Sequence, residues 1–391
     1  MKRPNVSIII LNWGGWEDTV ECLESLYQIT YTNYDVILVD NGSKDDSIAK
    51  IKEWAKGELK VESKFFEHSS KNKPIKTIEY TREEADTGGG KEKKITDLPS
   101  NRKLTIIKNE KNYGFTEGNN IGTRYALKNL NPNYIMLLNN DTVVNPNFLT
   151  ELVKGAESDP TIGIIGPKIY LQGTKIIDSA GSLFNNVGIC SSRGNLEEDR
   201  GQYDKQEEVP MMTACCCLIR KTILEQTYLF DPDFFLYYEE FDLNIRVREL
   251  GYRVVYSPLS IIYHKYSQSV RKNTARETLR VKRFYQCINR ANVLIKHYPT
   301  KVLLQNFHLI LLSYLYYEYF FLRNASISWV IKFNYHFIKS LPLAFKERWQ
   351  RRGEINSSWI SWMDYYSLKD YLRLIRASDK QWEERLRRLH S

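Results

Sequence analysis

Asn112-Tyr113-Gly114-Phe115-Thr116-Glu117-Gly118-Asn119-Asn120 stands between an apolar run, residues 104–108, and a helical pattern over 117–130. The run reads as a strand and the polar stretch as its carboxyl end. Moving outward, the arrangement repeats. Residues 6–11 end at Asn12-Trp13-Gly14-Gly15, residues 34–39 at Asp40-Asn41-Gly42-Ser43, and residues 134–138 at Asn139-Asn140-Asp141. Short, uniformly apolar runs are the pattern of parallel strands buried on both faces. Helical spacing fills the gaps: Val20, Leu23, Leu26 and Tyr27 after the first run, Ile48, Ile51 and Trp54 after the second. This alternation predicts an α/β chain whose parallel sheet carries helices on both faces. Ligands of such sheets bind outside the carboxyl ends of the strands. The polar clusters are therefore expected on one edge, together with Tyr238-Glu239-Glu240-Phe241-Asp242.

The remaining segments are less regular. Residues 61–103 are polar, include Gly88-Gly89-Gly90 and keep no period, so they read as an insertion or flexible loop. The glycine triplet lacks the strand–turn–helix setting of a phosphate loop. Residues 162–169 and 214–220 read as extended, 242–250 as an amphipathic helix capped by Gly251, and 254–256 and 261–263 as two short extended segments. Residues 276–297 are helical and basic. Residues 302–322 and 324–344 are rich in Leu, Tyr, Phe and Trp, but Gln305, Asn306, His308 and Glu318 suit an interfacial helix better than a spanning one.

Composition narrows the class. The 391 residues carry a net charge of +9, unevenly placed. Residues 271–391 hold 23 Lys and Arg against 9 Asp and Glu, leaving the motif-bearing part slightly acidic. A basic, aromatic region points to an anionic partner, and a membrane surface is expected. No recognised motif supports nucleic acid. The six-residue first run is shorter than a signal core, so the N-terminus is expected to stay in the cytoplasm. Six cysteines without a CxxC spacing argue against zinc and read as small buried residues of a reducing compartment. The first strand is followed by no G-x-G-x-x-G, which disfavours a dinucleotide-binding dehydrogenase.

Taken in order, the four clusters resemble family-2 glycosyltransferases of the GT-A fold. The match runs from Asn5 to Pro299 apart from 61–103, and Asn112–Gly122 resembles the family's N-x-G-F-x-x-G-N-N-x-G stretch. The resemblance implies a GT-A nucleotide-sugar-binding domain with a mainly parallel mixed sheet over residues 1–268. A basic, membrane-associated helical region would follow over 269–391. It implies a nucleotide-sugar donor held by Asn12, Asp40, Asn41, Gly42, Ser43, Asn112, Gly114, Gly118, Asn119, Asn139, Asn140 and Glu239, with Asp40 at the nucleobase and Asp45 at a further acidic position. It implies a divalent cation, Mg²⁺ or Mn²⁺, on Asp141 and His264, although Asn139 replaces the usual first acid of Asp-x-Asp. The second acid of the E-D-x-D segment is the family's general base; here it is Glu240, flanked by Glu239 and Asp242, whose charges are expected to raise its pKa modestly. Tyr285, Asn289-Arg290 and His297-Tyr298-Pro299 look most like rhamnosyltransferase-like members.

The expectation is thus an inverting transferase acting on a glycan or lipid-linked acceptor, peripheral on the inner face of the cell membrane. The rival is a catalytically degenerate sugar-nucleotide or glycan-binding module, to which Asn139 and Glu240 lend support. The sugar, the acceptor and the oligomeric state are not written in these motifs.

Overall fold

The structure, a computed structural model, describes residues 3–265, 275–351 and 357–373. The expected boundary at 268/269 lies outside the described residues, as do parts of the basic region. The strands are β1 (Val6–Asn12), β2 (Tyr34–Asp40), β3 (Lys76–Thr81), β4 (Lys103–Lys108), β5 (Tyr134–Asn139), β6 (Thr142–Val144), β7 (Ile162–Leu171), β8 (Ile177–Ser179), β9 (Ser182–Phe184), β10 (Cys190–Ser192), β11 (Glu207–Glu208), β12 (Cys216–Arg220) and β13 (Arg253–His264). The helices are α1 (Trp16–Leu26), α2 (Ser47–Lys56), α3 (Arg82–Thr87), α4 (Gly114–Asn129), α5 (Phe148–Glu157), α6 (Lys221–Gln226), α7 (Glu239–Glu249), α8 (Ala275–His297), α9 (Thr300–Gln305), α10 (Phe307–Asn324) and α11 (Ile327–Gln350).

One mixed sheet runs in the order β11-β13-β7-β12-β5-β1-β2-β4-β3. The stretch from β5 to β3 is parallel throughout, whereas β12 lies antiparallel between β5 and β7. Apolar side chains cover both faces. Ile8, Ile10, Val36 and Leu38 pack under α1 and α2, while Ile9, Ile37 and Val39 pack under α4. In-register pairing aligns Asn12 with Asp40, Leu11 with Asn139 and Asp40 with Lys108. The polar clusters read from the sequence therefore share one edge.

Three expectations change. Residues 61–103 are not a structureless excursion, because β3 pairs with β4 and α3 begins with a capping box at Thr81 and Glu84. The strand was hidden because its alternation, Ile78 and Tyr80 inward with Glu79 between, is too short to stand out from charged surroundings. The two short segments near 254–263 form one strand, β13, with a register shift between Ser257 and Ile261 where Pro258 cannot donate to a ladder. The single helix expected over 302–322 breaks at Asn306. Its side chain turns inward, donating to Val302 O at 2.8 Å and accepting from Asn186 Nδ2 at 2.5 Å.

The helical region is fastened to the sheet domain by a buried ion cluster. Asp242 of α7 is 1 % exposed; it accepts from Arg246 Nε at 2.8 Å and meets His297 Nε2 of α8 at 2.8 Å. Arg246 also donates to the Tyr228 and Leu229 carbonyls at 2.7 Å. Removing one member of such a cluster strands the other charges in a poor dielectric. Asp242→Ala should therefore cost about 3–5 kcal/mol of folding stability, measured by chemical denaturation of the purified protein.

Candidate active site

The edge of the sheet holds three groups of side chains. The first is centred on Asp40. Its Oδ1 accepts from Asn12 Nδ2 at 2.7 Å and from the Ser43 hydroxyl, and its Oδ2 accepts from Ser43 N at 3.2 Å. Thr19 Oγ1 donates to Asn12 Oδ1 at 2.7 Å and accepts from Asn140 Nδ2 at 2.8 Å, which carries the chain of bonds to β5. Asp45 Oδ2 accepts from Gly15 N at 3.0 Å and its Oδ1 serves the start of α2, so it ties the β1–α1 turn to that helix. Gly42 has φ +75°, and a Cβ there would lie 2.5 Å from the Lys111 backbone. Only glycine lets the two loops meet this closely.

The second group is Asp141 with His264. The carboxylate Oδ1 and the ring Nε2 face each other at 3.3 Å, while Nδ1 lies 2.9 Å from Asp178 Oδ2. Antiparallel pairing of β6 with β13 sets Thr142 against His264 and so brings the two together. A carboxylate on the far ring nitrogen fixes the tautomer and leaves Nε2 to a ligand, the usual support of a metal-binding histidine. The donor set, one carboxylate oxygen and one imidazole nitrogen, suits a divalent cation of the Mn²⁺ or Mg²⁺ kind. Burial opposes charging the ring, but Cys215 and Asp141 outweigh it and hold His264 toward the protonated form. A cation bound here displaces that proton. Lys265 follows directly, pairing with Asp18 and Glu21 of α1 and donating its backbone N–H to Asp141 O at 2.9 Å.

The third group is the acidic start of α7. Tyr237 and Tyr238 precede it at φ +67° and +73°, a backbone region that bulky residues adopt only when their surroundings enforce it. Glu239 is buried and Glu240 half-buried; an Oε2 on each is enclosed and has no hydrogen-bond partner. Burial raises both carboxyls, and the charge of Glu240 raises Glu239 further. The deeper Glu239 is raised the further of the two. Burial raises the Cys190 and Cys217 thiols, and Glu240 lies close enough to raise both further. Cys215, two residues along from Cys217, neighbours His264. The amino end of β12 thus separates the metal-type pair from the acid pair.

Several expected ligand residues also hold the frame of the edge. Asn41 Nδ2 donates to Asn112 Oδ1 and Gly114 O, both at 2.9 Å, and its Oδ1 accepts from Asn109 Nδ2 and Tyr113 N. Asn112 Oδ1 also accepts from Gly114 N at 2.7 Å. Asn119 bonds back to Phe115 O within α4. Gly114 and Gly118 are close-packing positions: a Cβ would sit 2.5 Å from Phe235 O in the first and 2.5 Å from a Leu11 methyl in the second. Asp242, expected beside the catalytic base, is committed to Arg246 and His297. Burial alone would raise its carboxyl, but the Arg246 guanidinium and the hydrogen bond with His297 hold it well below the usual range. Its charge is neutralised there, and burial rather than Asp242 raises Glu240. Asn139 is half-buried at the end of β5, its carbonyl accepting from Thr142 Oγ1 at 2.7 Å. Asp178 was missed, although Ile176-Ile177-Asp178 repeats the signal used elsewhere, an acid just after apolar residues. Thr19 gave no signal, because a threonine on a helix looks alike with or without an edge to face.

The model of "Glycosyl transferase family group 2" matches residues 134–346, more than half of the chain, and that of "Glycosyl transferase family 2" matches residues 7–74. The chain belongs to glycosyl transferase family group 2. The two matches of this glycosyltransferase span the Asp40 group, the Asp141–His264 pair and α7. Among curated relatives, the low-salt glycan biosynthesis hexosyltransferase Agl10 of Haloferax volcanii is 30% identical over 141 residues, 35% of this chain and 44% of that protein. The N-acetylglucosaminyl-diphospho-decaprenol L-rhamnosyltransferase of Mycobacterium tuberculosis is 22% identical over 158 residues, 36% of this chain and 50% of that protein. The chain thus spans half or less of the length of these relatives. Among solved structures, the mannosyltransferase PcManGT from Pyrobaculum calidifontis, in complex with GDP-Man and Mn²⁺, overlays at a TM-score of 0.48 and 13% identity, covering 97% of this chain and 87% of that one.

The Asp178 contact yields a test. Loss of a carboxylate behind a ligating histidine typically weakens a metal by about 10–100-fold. Titration calorimetry with Mn²⁺ should show a loss of that order for Asp178→Asn, and no measurable binding for Asp141→Ala.

Proposed function

We propose that this glycosyltransferase moves a hexose, rhamnose or a close relative, from a nucleoside-diphosphate sugar to a hydroxyl of a lipid-linked glycan, with inversion at the anomeric carbon. The observation that carries the reading is the buried carboxyl of Glu240. It lies at the strand-end edge, with an enclosed oxygen free of protein partners and a pKa raised toward that of a working base. Glu240 takes the proton of the acceptor hydroxyl. The acceptor oxygen attacks the anomeric carbon from the face opposite the diphosphate. The bond to the diphosphate oxygen breaks, and the configuration inverts without a covalent enzyme intermediate. A divalent cation held by Asp141 and His264 would supply Lewis acidity to the departing diphosphate. Asp40 and Asn12 hold the nucleoside end, one polar group shaping the other. The names of the relatives, a hexosyltransferase of glycan biosynthesis and a transferase onto a decaprenyl-linked sugar, support the choice of donor and acceptor class.

The base assignment has a kinetic signature. Glu240 must be deprotonated to act, so burial should move the acid limb of kcat/KM to a pH above the ordinary carboxylate value of 4.5. Glu240→Gln should abolish that limb and lower turnover by about 10²–10⁴-fold, while binding of the nucleoside diphosphate, followed by calorimetry, stays unchanged. Near-normal turnover of the variant across the pH range would remove Glu240 from the role.

The same reading puts the enzyme on the cytoplasmic face of the membrane that carries its acceptor. No helix among the described residues is long and apolar enough to cross a membrane. Support for surface docking comes from α11, where Ile331, Tyr335, Ile338 and Phe345 are 56–64% exposed and interleave with exposed Lys332, Lys339 and Lys346. On α10, Phe307, Leu311, Leu315, Tyr319 and Leu322 form a second exposed stripe. Apolar burial and about 1 kcal/mol per interfacial lysine favour an anionic bilayer. Full-length protein should co-sediment with anionic vesicles at low salt and be released only in part at high salt. Recovery in the supernatant at low salt would overturn the docking.

A further inference from the structure

One oxygen of each of the Glu239 and Glu240 carboxyls has no partner, and the hydrogen bonds that reach these carboxyls come from the backbone at residues 238–240. Their position comes from the turn before them. That turn is unfavourable in isolation, with two successive tyrosines at φ +67° and +73°. Something must hold it, and two elements do. On one side, α4 presents its first amides: Phe115 N donates to Phe235 O at 2.9 Å, and Gly114 leaves no space for a side chain against that carbonyl. On the other side stands Asn289 of α8, buried at 3% exposure. Its Nδ2 donates to Leu236 O at 2.9 Å and to Tyr237 O at 2.8 Å. An amide NH₂ has two hydrogens, and both are spent here. One helical turn earlier, Tyr285 stacks on Phe235 with ring centroids 5.3 Å apart.

We infer that Asn289 is a positioning residue. By clamping the carbonyls of Leu236 and Tyr237 it fixes the left-handed turn that aims Glu240, so the C-terminal helical region completes the catalytic apparatus of the sheet domain. The Leu236 and Tyr237 carbonyls stand before Tyr238 O, which accepts from Asp242 N of α7, and they take their donors from Asn289 instead. Only a side chain with two hydrogens on one atom can serve two adjacent carbonyls from one position. The link is separate from the Asp242 cluster, which fastens α7 to α8 farther along and would hold the helices together without it.

The inference rests on the proposed reaction for its kinetic arm and stands apart from it in its structural arm. Asn289→Asp keeps the shape of the side chain but replaces both hydrogens by lone pairs facing two carbonyl oxygens. In the full-length protein it should lower kcat by about 10²-fold, the scale of a misplacement near 1 Å, with the donor KM and nucleoside-diphosphate affinity unchanged. Hydrogen exchange, measured without substrate, should quicken at the amides of Phe115 and Asp242, whose acceptors are the Phe235 and Tyr238 carbonyls. Asn334→Ala serves as the control for loss of stability in the helical region. It removes a donor to Glu318 of α10 and another to Val330 O within α11, remote from the turn, and should leave kcat in place. Unchanged exchange in Asn289→Asp overturns the clamp. Faster exchange with unchanged kcat overturns the positioning role. A fall in kcat shared equally by Asn334→Ala assigns the effect to general destabilisation and also overturns it. If the unmodified protein transfers no sugar from any donor, the proposed reaction fails while the exchange arm still decides the clamp.

Discussion

The buried carboxylate of Asp242 constrains the architecture around it. A charge at 1 % exposure is tolerable only with its partners in contact, and these come from two elements, the Arg246 guanidinium of α7 and the His297 ring of α8. The network extends to Glu249, which meets His297 and Arg351, so α7, α8 and the end of α11 are tied by charge as well as by apolar packing. An ion cluster of this kind contributes less net stability than an apolar core of the same volume. What it supplies is orientation, because each charge accepts few geometries. The acid pair at the start of α7 and the helical region behind it therefore keep one relation.

At the edge of the sheet the governing constraint is satisfaction of polar groups. Seven-residue apolar strands deliver a row of backbone ends and polar side chains to one place, and most of these are buried. Asn41 shows the outcome, since both of its side-chain atoms serve twice in joining β2 to the β4–α4 loop. Asn12, Ser43 and Thr19 do the same around Asp40. The groups left with capacity to spare are the open oxygens of Glu239 and Glu240.

The fold was legible because its signals are local. Apolar strands, helical spacing and the order of four clusters predicted the α/β class, the shared edge and the separate helical region, and the structure has all three. The same signals marked Asn41, Asn112, Gly114, Gly118 and Asn119, which the structure shows bracing the loops of that edge. A motif marks where residues must be, without saying whether they hold a ligand or hold the loop. β3 and the continuity of β13 were missed where charged neighbours or a proline masked an edge strand and a bulge.

The sequence by itself determined which residue types stand at the strand ends, the acidic run that opens α7, and the basic, aromatic character of the last third. Each of these is written in contiguous residues whose physical meaning needs no partner. Tertiary structure alone decided that Asp178 backs His264, that Asp242 is spent on Arg246 and His297, and that Asn289 reaches the turn before Glu240. These contacts join positions from 4 to 86 residues apart in the chain. Hydrogen bonds and charge pairs depend on distances of a few tenths of an ångström, which packing fixes and composition does not record.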